Sequence, residues 1–200
     1  ELNGIKKSSM LHVSVSVQEY KNEWRIFVFA PSENNKEVRY IRTQDELKRI
    51  MKTGGRGVVT RDCFAGLPDG SFIPVFWSPV HFPSQKPCGA IIDAFHPVFE
   101  NFPTEKYPDY QWKELLDHSK NVDISLFGSN FKPIVEIVPN FMDNTPSSPL
   151  FEARIGNADI LFCGFDLDQD DITAKQLKTS ICHYVNSDLF RPQNVINKIV

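Results

Sequence analysis

The chain has 200 residues, 41% hydrophobic and 24% charged, with a net charge of −3. That length fits one large domain able to bury roughly 70% of its unfolded surface, and the composition is neither that of a disordered chain nor that of a bilayer-spanning one. The charge supplies no excess of Lys and Arg for phosphates, which argues against nucleic acid and anionic membranes as partners.

The start, Glu1-Leu2-Asn3, has no basic segment leading into an apolar one. No signal peptide is read there, and the start reads as a processing or expression boundary. Residues 11–18 alternate apolar with polar, which predicts a strand with one buried face. Residues 24–30 are almost continuously apolar and predict a strand covered on both faces in an α/β sheet. Residues 19–23 read as a connection between two kinds of sheet, making the first strand a remnant of a preceding β-domain. Such a strand is expected to pack poorly or to pair with a partner chain.

A short strand follows at residues 38–41. Thr43-Gln44-Asp45-Glu46 then has the capping-box pattern that starts a helix, and Gly54-Gly55 ends it. Residues 57–60 form the next strand, and this β-α-β order predicts a parallel sheet with a crossover helix. Residues 61–87, rich in Pro, Gly and aromatics, read as a structured loop. Strands are expected at 89–93 and 134–138, a helical turn at 96–102, and an antiparallel pair at 150–155 and 159–165 turned by Gly156-Asn157. Residues 110–118 fit helix or strand. A final helix at about 172–186 places Leu177, Ile181 and Val185 on one face.

The glycines of Thr53-Gly54-Gly55-Arg56-Gly57 follow a helix and precede a strand, the reverse of a phosphate loop. The acidic run 166–171 resembles the opening of a calcium loop, but Asp171 stands where glycine is needed and Leu177 where glutamate is needed. Its carboxylates read instead as caps of the final helix. Cys63, Cys88, Cys163 and Cys182 form no CxxC pair and read as mostly buried free thiols. Cys63 lacks the flanking glycines of a nucleophile elbow. His12, His96 and His183 read as structural, and His81 and His118 are undecided. Glu105, Glu114 and Glu136 read as solvated or ion-paired groups, because the chain is too short for the large barrel that would set carboxylates across a sugar. No metal or other cofactor is read.

Several segments carry a resemblance to a known family. Asn22-Glu23-Trp24-Arg25-Ile26-Phe27-Val28-Phe29 resembles the segment that opens the C-terminal region of many bacterial family-two glycoside hydrolases related to β-galactosidase. Phe76-Trp77-Ser78-Pro79-Val80-His81-Phe82-Pro83 is similar to that group's F-W-S-P-V segment. Asp93-Ala94-Phe95-His96-Pro97-Val98-Phe99-Glu100-Asn101-Phe102-Pro103-Thr104-Glu105 is similar to its D-x-x-H-P-x-F-x-x-F-P-T-E segment. Tyr110-Gln111-Trp112, Lys132-Pro133-Ile134-Val135 and Asp188-Leu189-Phe190-Arg191-Pro192-Gln193 also match, in order along the chain.

The resemblance implies a flavodoxin-like, class I glutamine-amidotransferase-like three-layer sandwich with a mainly parallel central sheet and no amidotransferase triad. It implies residues 1–21 as the end of a preceding β-domain, 22–193 as the α/β domain and 194–200 as a tail. The family's catalytic glutamates lie on an upstream barrel and have no counterparts here. The expected role is therefore a non-catalytic accessory domain of a glycoside hydrolase, periplasmic or secreted, partnered by the parent's upstream domains and by carbohydrate. Two other readings stand beside it: a free-standing carbohydrate-binding module, and a small hydrolase using Cys63 with His81 or His118. Phe76, Trp77, His81 and Phe82, with Trp112, concentrate aromatic surface in and near the long loop. They read as core or interface first, and as contacts to sugar or to a neighbouring domain second.

Overall fold

A computed structural model of the chain describes residues 4–31, 37–73, 86–140, 142 and 144–197. Among these residues two sheets are formed. The smaller is an antiparallel ribbon of β1 (Ser9–Val17) and β2 (Tyr20–Val28). The larger contains β3 (Tyr40–Ile41), β4 (Gly55–Thr60), β5 (Gly89–Ile92), β6 (Val122–Asp123), β7 (Val135–Val138), β8 (Ser147–Ile155), β9 (Ala158–Cys163) and β10 (Val195–Ile196). Its path runs β3-β4-β9-β8-β7-β5, with β6 and β10 both pairing β8.

The helices begin where the local chemistry places them. Thr43 and Glu46 form the capping box of α1 (Gln44–Thr53), satisfying the exposed donors of its first turn. Gly54, at φ 77°, takes the left-handed conformation that stops it. Residues 110–118 become a 3-10 turn at Tyr110–Trp112 followed by α2 (Lys113–Asp117). Asp171 caps α3 (Ile172–Val185), one carboxylate oxygen accepting from the Thr173 and Ala174 amides at 2.9 and 3.0 Å.

The mainly parallel, flavodoxin-like sheet is corrected by the strand directions. Only β3 with β4, β4 with β9, and β10 with β8 run parallel; β8 with β9, β7 with β8, β5 with β7 and β6 with β8 are antiparallel. For β8 and β9 the reason is connection length, since a parallel neighbour requires a long crossover and a tight turn returns the chain alongside itself. β8 and β9 are joined through Gly156-Asn157, with Gly156 at φ 57°, and this hairpin reverses the sheet at its centre. The parallel β-α-β unit expected from residues 38–60 is present on one side of that hairpin alone.

A second correction concerns residues 24–30. They do not enter the central sheet but belong to the β1–β2 ribbon and its exit, and a two-residue connection replaces the expected linker at 19–23. The boundary expected between residues 21 and 22 falls inside β2. The run looks apolar on both faces because its two faces meet different surroundings. Trp24 and Ile26 are exposed, whereas Phe29 stacks on Phe102 of the α/β core with ring centres 5.8 Å apart.

Two apolar layers flank the large sheet. On one side, Val58, Val135, Leu150 and Leu161 pack beneath Leu177 and Ile181 of α3 and Leu115 of α2. On the other, Ile41, Val59, Phe151, Ala153, Ile160 and Phe162 meet Leu47 and Ile50 of α1. β8 serves both, Leu150 and Glu152 facing α3 and Phe151 and Ala153 facing α1.

Candidate functional site

In an open α/β sheet, ligands sit outside the carboxyl ends of the parallel strands, where loops gather side chains that need not serve the core. Here β3, β4 and β9 end together, and their loops deliver Arg42, Arg61, Asp62, Asp166 and Asp168. The charges are matched. Arg42 reaches Asp62 at 3.2 Å and Asp168 at 3.0 Å, Arg61 reaches Asp166 at 2.9 Å, and Lys178 of α3 reaches Asp168 at 2.6 Å. Lys178 and Arg42 together hold the Asp168 carboxyl below the usual carboxylate range, and Asp168 raises Arg42 in return. The space left among these groups is about 20 Å3, roughly one water molecule.

The thiols nearby are the reverse of activated. Cys63 follows β4 in the 3-10 turn Arg61–Cys63, where burial and then the Glu46 carboxylate push it up to about 11. Cys163 ends β9 fully enclosed and is pushed up to about 12 by burial. A nucleophilic cysteine requires the opposite shift, from a cation, a helix N-terminus or a paired imidazole. His118 does not serve Cys63. Its imidazole lies 3.5 Å from Glu114, and its backbone carbonyl accepts from Arg61 at 2.7 Å. All four cysteines are free, with Cys88 alone exposed.

A buried polar trio lies beneath α3, and the sequence reading identified only one of its members, as a structural residue. The Tyr184 hydroxyl donates to Glu152 at 2.6 Å, His96 lies edge-on to the Tyr184 ring at 5.2 Å, and His96 Nε2 stands 3.8 Å from the same carboxylate. Burial, followed by the neighbouring carboxylate, pushes the Tyr184 hydroxyl up; burial raises Glu152 and lowers His96. His96 Nδ1 accepts from the Val98 amide at 3.3 Å and so caps the turn Pro97–Phe99. Glu152 was missed because its neighbours in β8 are apolar and nothing in the local pattern marks a partner 32 residues away.

On the α1 face a cavity of about 270 Å3 is lined by Leu47, Val59, Phe64, Phe127, Phe151 and Phe162 among others. It offers shape and apolar surface with almost no polar group to orient a substrate. Among the described residues no group of three or more His, Cys, Asp or Glu side chains could hold a metal ion. No helix among them is long and apolar enough to cross a membrane.

Of the aromatic residues singled out from the sequence, Phe76, Trp77, His81 and Phe82 lie outside the described residues. Trp112 is fully enclosed, edge-on to Phe99 and Phe102 at 5.8 and 5.4 Å, and its indole N–H donates to Thr104 at 2.8 Å. It has no ring face free for a ligand. Glu105 is ion-paired with Arg25, and Glu114 with Lys113. The acidic run supplies the expected helix cap through Asp171, and beyond that expectation Asp166 and Asp168 form ion pairs.

No curated protein matches the chain. A family profile described as a domain of unknown function, DUF8487, matches residues 40–199, which takes in the whole large sheet and α1 to α3 and leaves out the β1–β2 ribbon. With most of its length matched, the chain belongs to the DUF8487 domain family.

Proposed function

We propose that this chain is a non-catalytic accessory domain of a larger carbohydrate-active enzyme, standing C-terminal to the catalytic domains of a family-two glycoside hydrolase related to β-galactosidase. The observation that carries the reading is the state of the strand ends. Where an α/β fold would keep reactive groups, Arg42, Arg61 and Lys178 are neutralised by Asp62, Asp166 and Asp168, and the thiols of Cys63 and Cys163 are suppressed by burial. Two of the segments that resemble the hydrolase family, Asp93–Glu105 and Tyr110–Trp112, serve packing. Phe99, Phe102 and Trp112 sit in the core, His96 caps a turn, and Glu105 anchors the ribbon through Arg25. The partners in this reading are the enzyme's other domains and, through them, carbohydrate. No nucleic acid, membrane or cofactor is required.

The purified chain is expected to turn over neither aryl glycosides nor aryl esters, and a thiol reagent is expected to modify Cys88 long before Cys63. Ester hydrolysis abolished by Cys63→Ser would overturn the reading in favour of a cysteine hydrolase. A natural reading frame encoding no hydrolase domain upstream would overturn it as well.

A further inference from the structure

The β1–β2 ribbon lies outside the matched residues and has an apolar face that is largely exposed. Its register sets Leu11 opposite Ile26, Val13 opposite Trp24, Val15 opposite Asn22 and Val17 opposite Tyr20, so these side chains share one face. Val15, Val17, Tyr20, Trp24 and Ile26 are each between 47% and 71% exposed. The opposite face carries His12, Ser14, Ser16, Lys21, Glu23 and Arg25, with Met10 and Phe27 at one end. From it Arg25 reaches the α/β domain, pairing with Glu105 and, at 3.2 Å, with Asp109. The ribbon is thus held by its polar side while its apolar side meets water.

An isolated two-stranded sheet is at best marginally stable, and a contiguous exposed apolar face marks a contact surface. The size of this face selects the occupant. Strand spacings make it about 30 Å long and about 10 Å wide, some ~300 Å2 on each side of a contact. A symmetric pair of copies would bury roughly 600 Å2, well below the ~1,200 Å2 at which specific complexes begin. A sheet tethered in the same polypeptide needs no such area, because tethering supplies a high effective concentration. The outer edges of both strands are unpaired among the described residues, leaving room for further strands beside them.

We infer that the ribbon is the terminal part of a β-sandwich: its apolar face packs against the facing sheet of a β-domain in the same polypeptide, and Arg25 ties that sandwich to the α/β domain. This rests on the accessory-domain reading and names the partner that reading requires.

The test places single thiols on the two faces of the ribbon in a Cys88→Ser background, Val15→Cys on the apolar face and Ser16→Cys on the polar one. Maleimide labelling is then timed in the 200-residue chain and in the complete polypeptide. At position 15 it is expected to slow by roughly tenfold or more in the complete polypeptide, with position 16 changing far less. Equal labelling of position 15 in both would overturn this inference and leave the accessory-domain reading standing. Protection already present in the short chain and growing with its concentration would overturn it in favour of a second copy. A reading frame with a hydrolase domain but no neighbouring β-domain would overturn this inference alone, whereas one with no hydrolase domain would overturn the accessory-domain reading itself.

Discussion

Trp24 and Trp112 belong to regions of the molecule built on different terms. Trp112 is closed in by Phe99, Phe102 and Phe165 and has its N–H satisfied by Thr104. Trp24 stands 47% exposed on a ribbon whose ladder is complete but whose apolar face is largely exposed. Backbone pairing is complete along the ribbon, while the large sheet is interrupted by a register shift between Val135 and Ile137. The decisive difference is whether side chains leave water, and that term dominates stability.

The comparison breaks first at its tryptophans. Trp112→Ala should cost about 3–5 kcal/mol, since a large fully buried side chain is lost and a cavity remains, whereas Trp24→Ala should stay within about 0.5 kcal/mol in the isolated chain. Urea unfolding followed by circular dichroism measures both. Losses of similar size would mean that the ribbon is part of this domain's cooperative core.

Next in size is Tyr184→Phe, which leaves the Glu152 carboxylate buried without its donor and should cost about 1–3 kcal/mol near neutral pH. The loss should shrink in acid, where Glu152, already raised by burial, takes up a proton and no longer needs the hydroxyl as strongly. A loss independent of pH would show that the hydroxyl matters for packing alone.

His96 sharpens the contrast through pH. Its folded value lies below the ordinary 6.5, so the stabilisation it contributes is complete above 6.5 and is lost as pH falls from there through the folded value. Glu152 acts oppositely, favouring the folded state at low pH and less so as pH rises through its raised value. The difference between the parent chain and His96→Asn isolates the histidine, because asparagine keeps an acceptor for the Val98 amide without a titrating ring. Melting temperatures from pH 7 down to pH 5 should fall less steeply in the variant; parallel curves would remove His96 from the account.

The smallest effect is expected at Arg25→Ala, which breaks a half-exposed ion pair with Glu105 and Asp109. It should cost less than about 1 kcal/mol, with greater protease sensitivity confined to the ribbon. A large global loss would again merge the two regions.

Local chemistry was legible in the sequence wherever a residue acts on its near neighbours. The capping box at Thr43 and Glu46, the Gly54 stop, the Gly156-Asn157 hairpin and the Asp171 cap all concern groups within a few residues of one another, and each is found where its pattern placed it. The same locality let the sequence exclude a phosphate loop and a nucleophile elbow. Beyond the Gly156-Asn157 hairpin and the β3-α1-β4 crossover, strand direction was not legible, because the apolar pattern of β5 and β7 is the same whichever way a strand runs and their direction depends on which edge each strand joined. The placement of residues 24–30 escaped for a related reason: periodicity reports that two faces are apolar, not that one is turned to the core and the other away. Tertiary structure alone decided the pairing of Arg42, Arg61 and Lys178 with their carboxylates and the meeting of His96, Glu152 and Tyr184. These contacts join residues far apart in the chain, and a charge or a hydroxyl read in isolation carries no record of the group that folding brings to it.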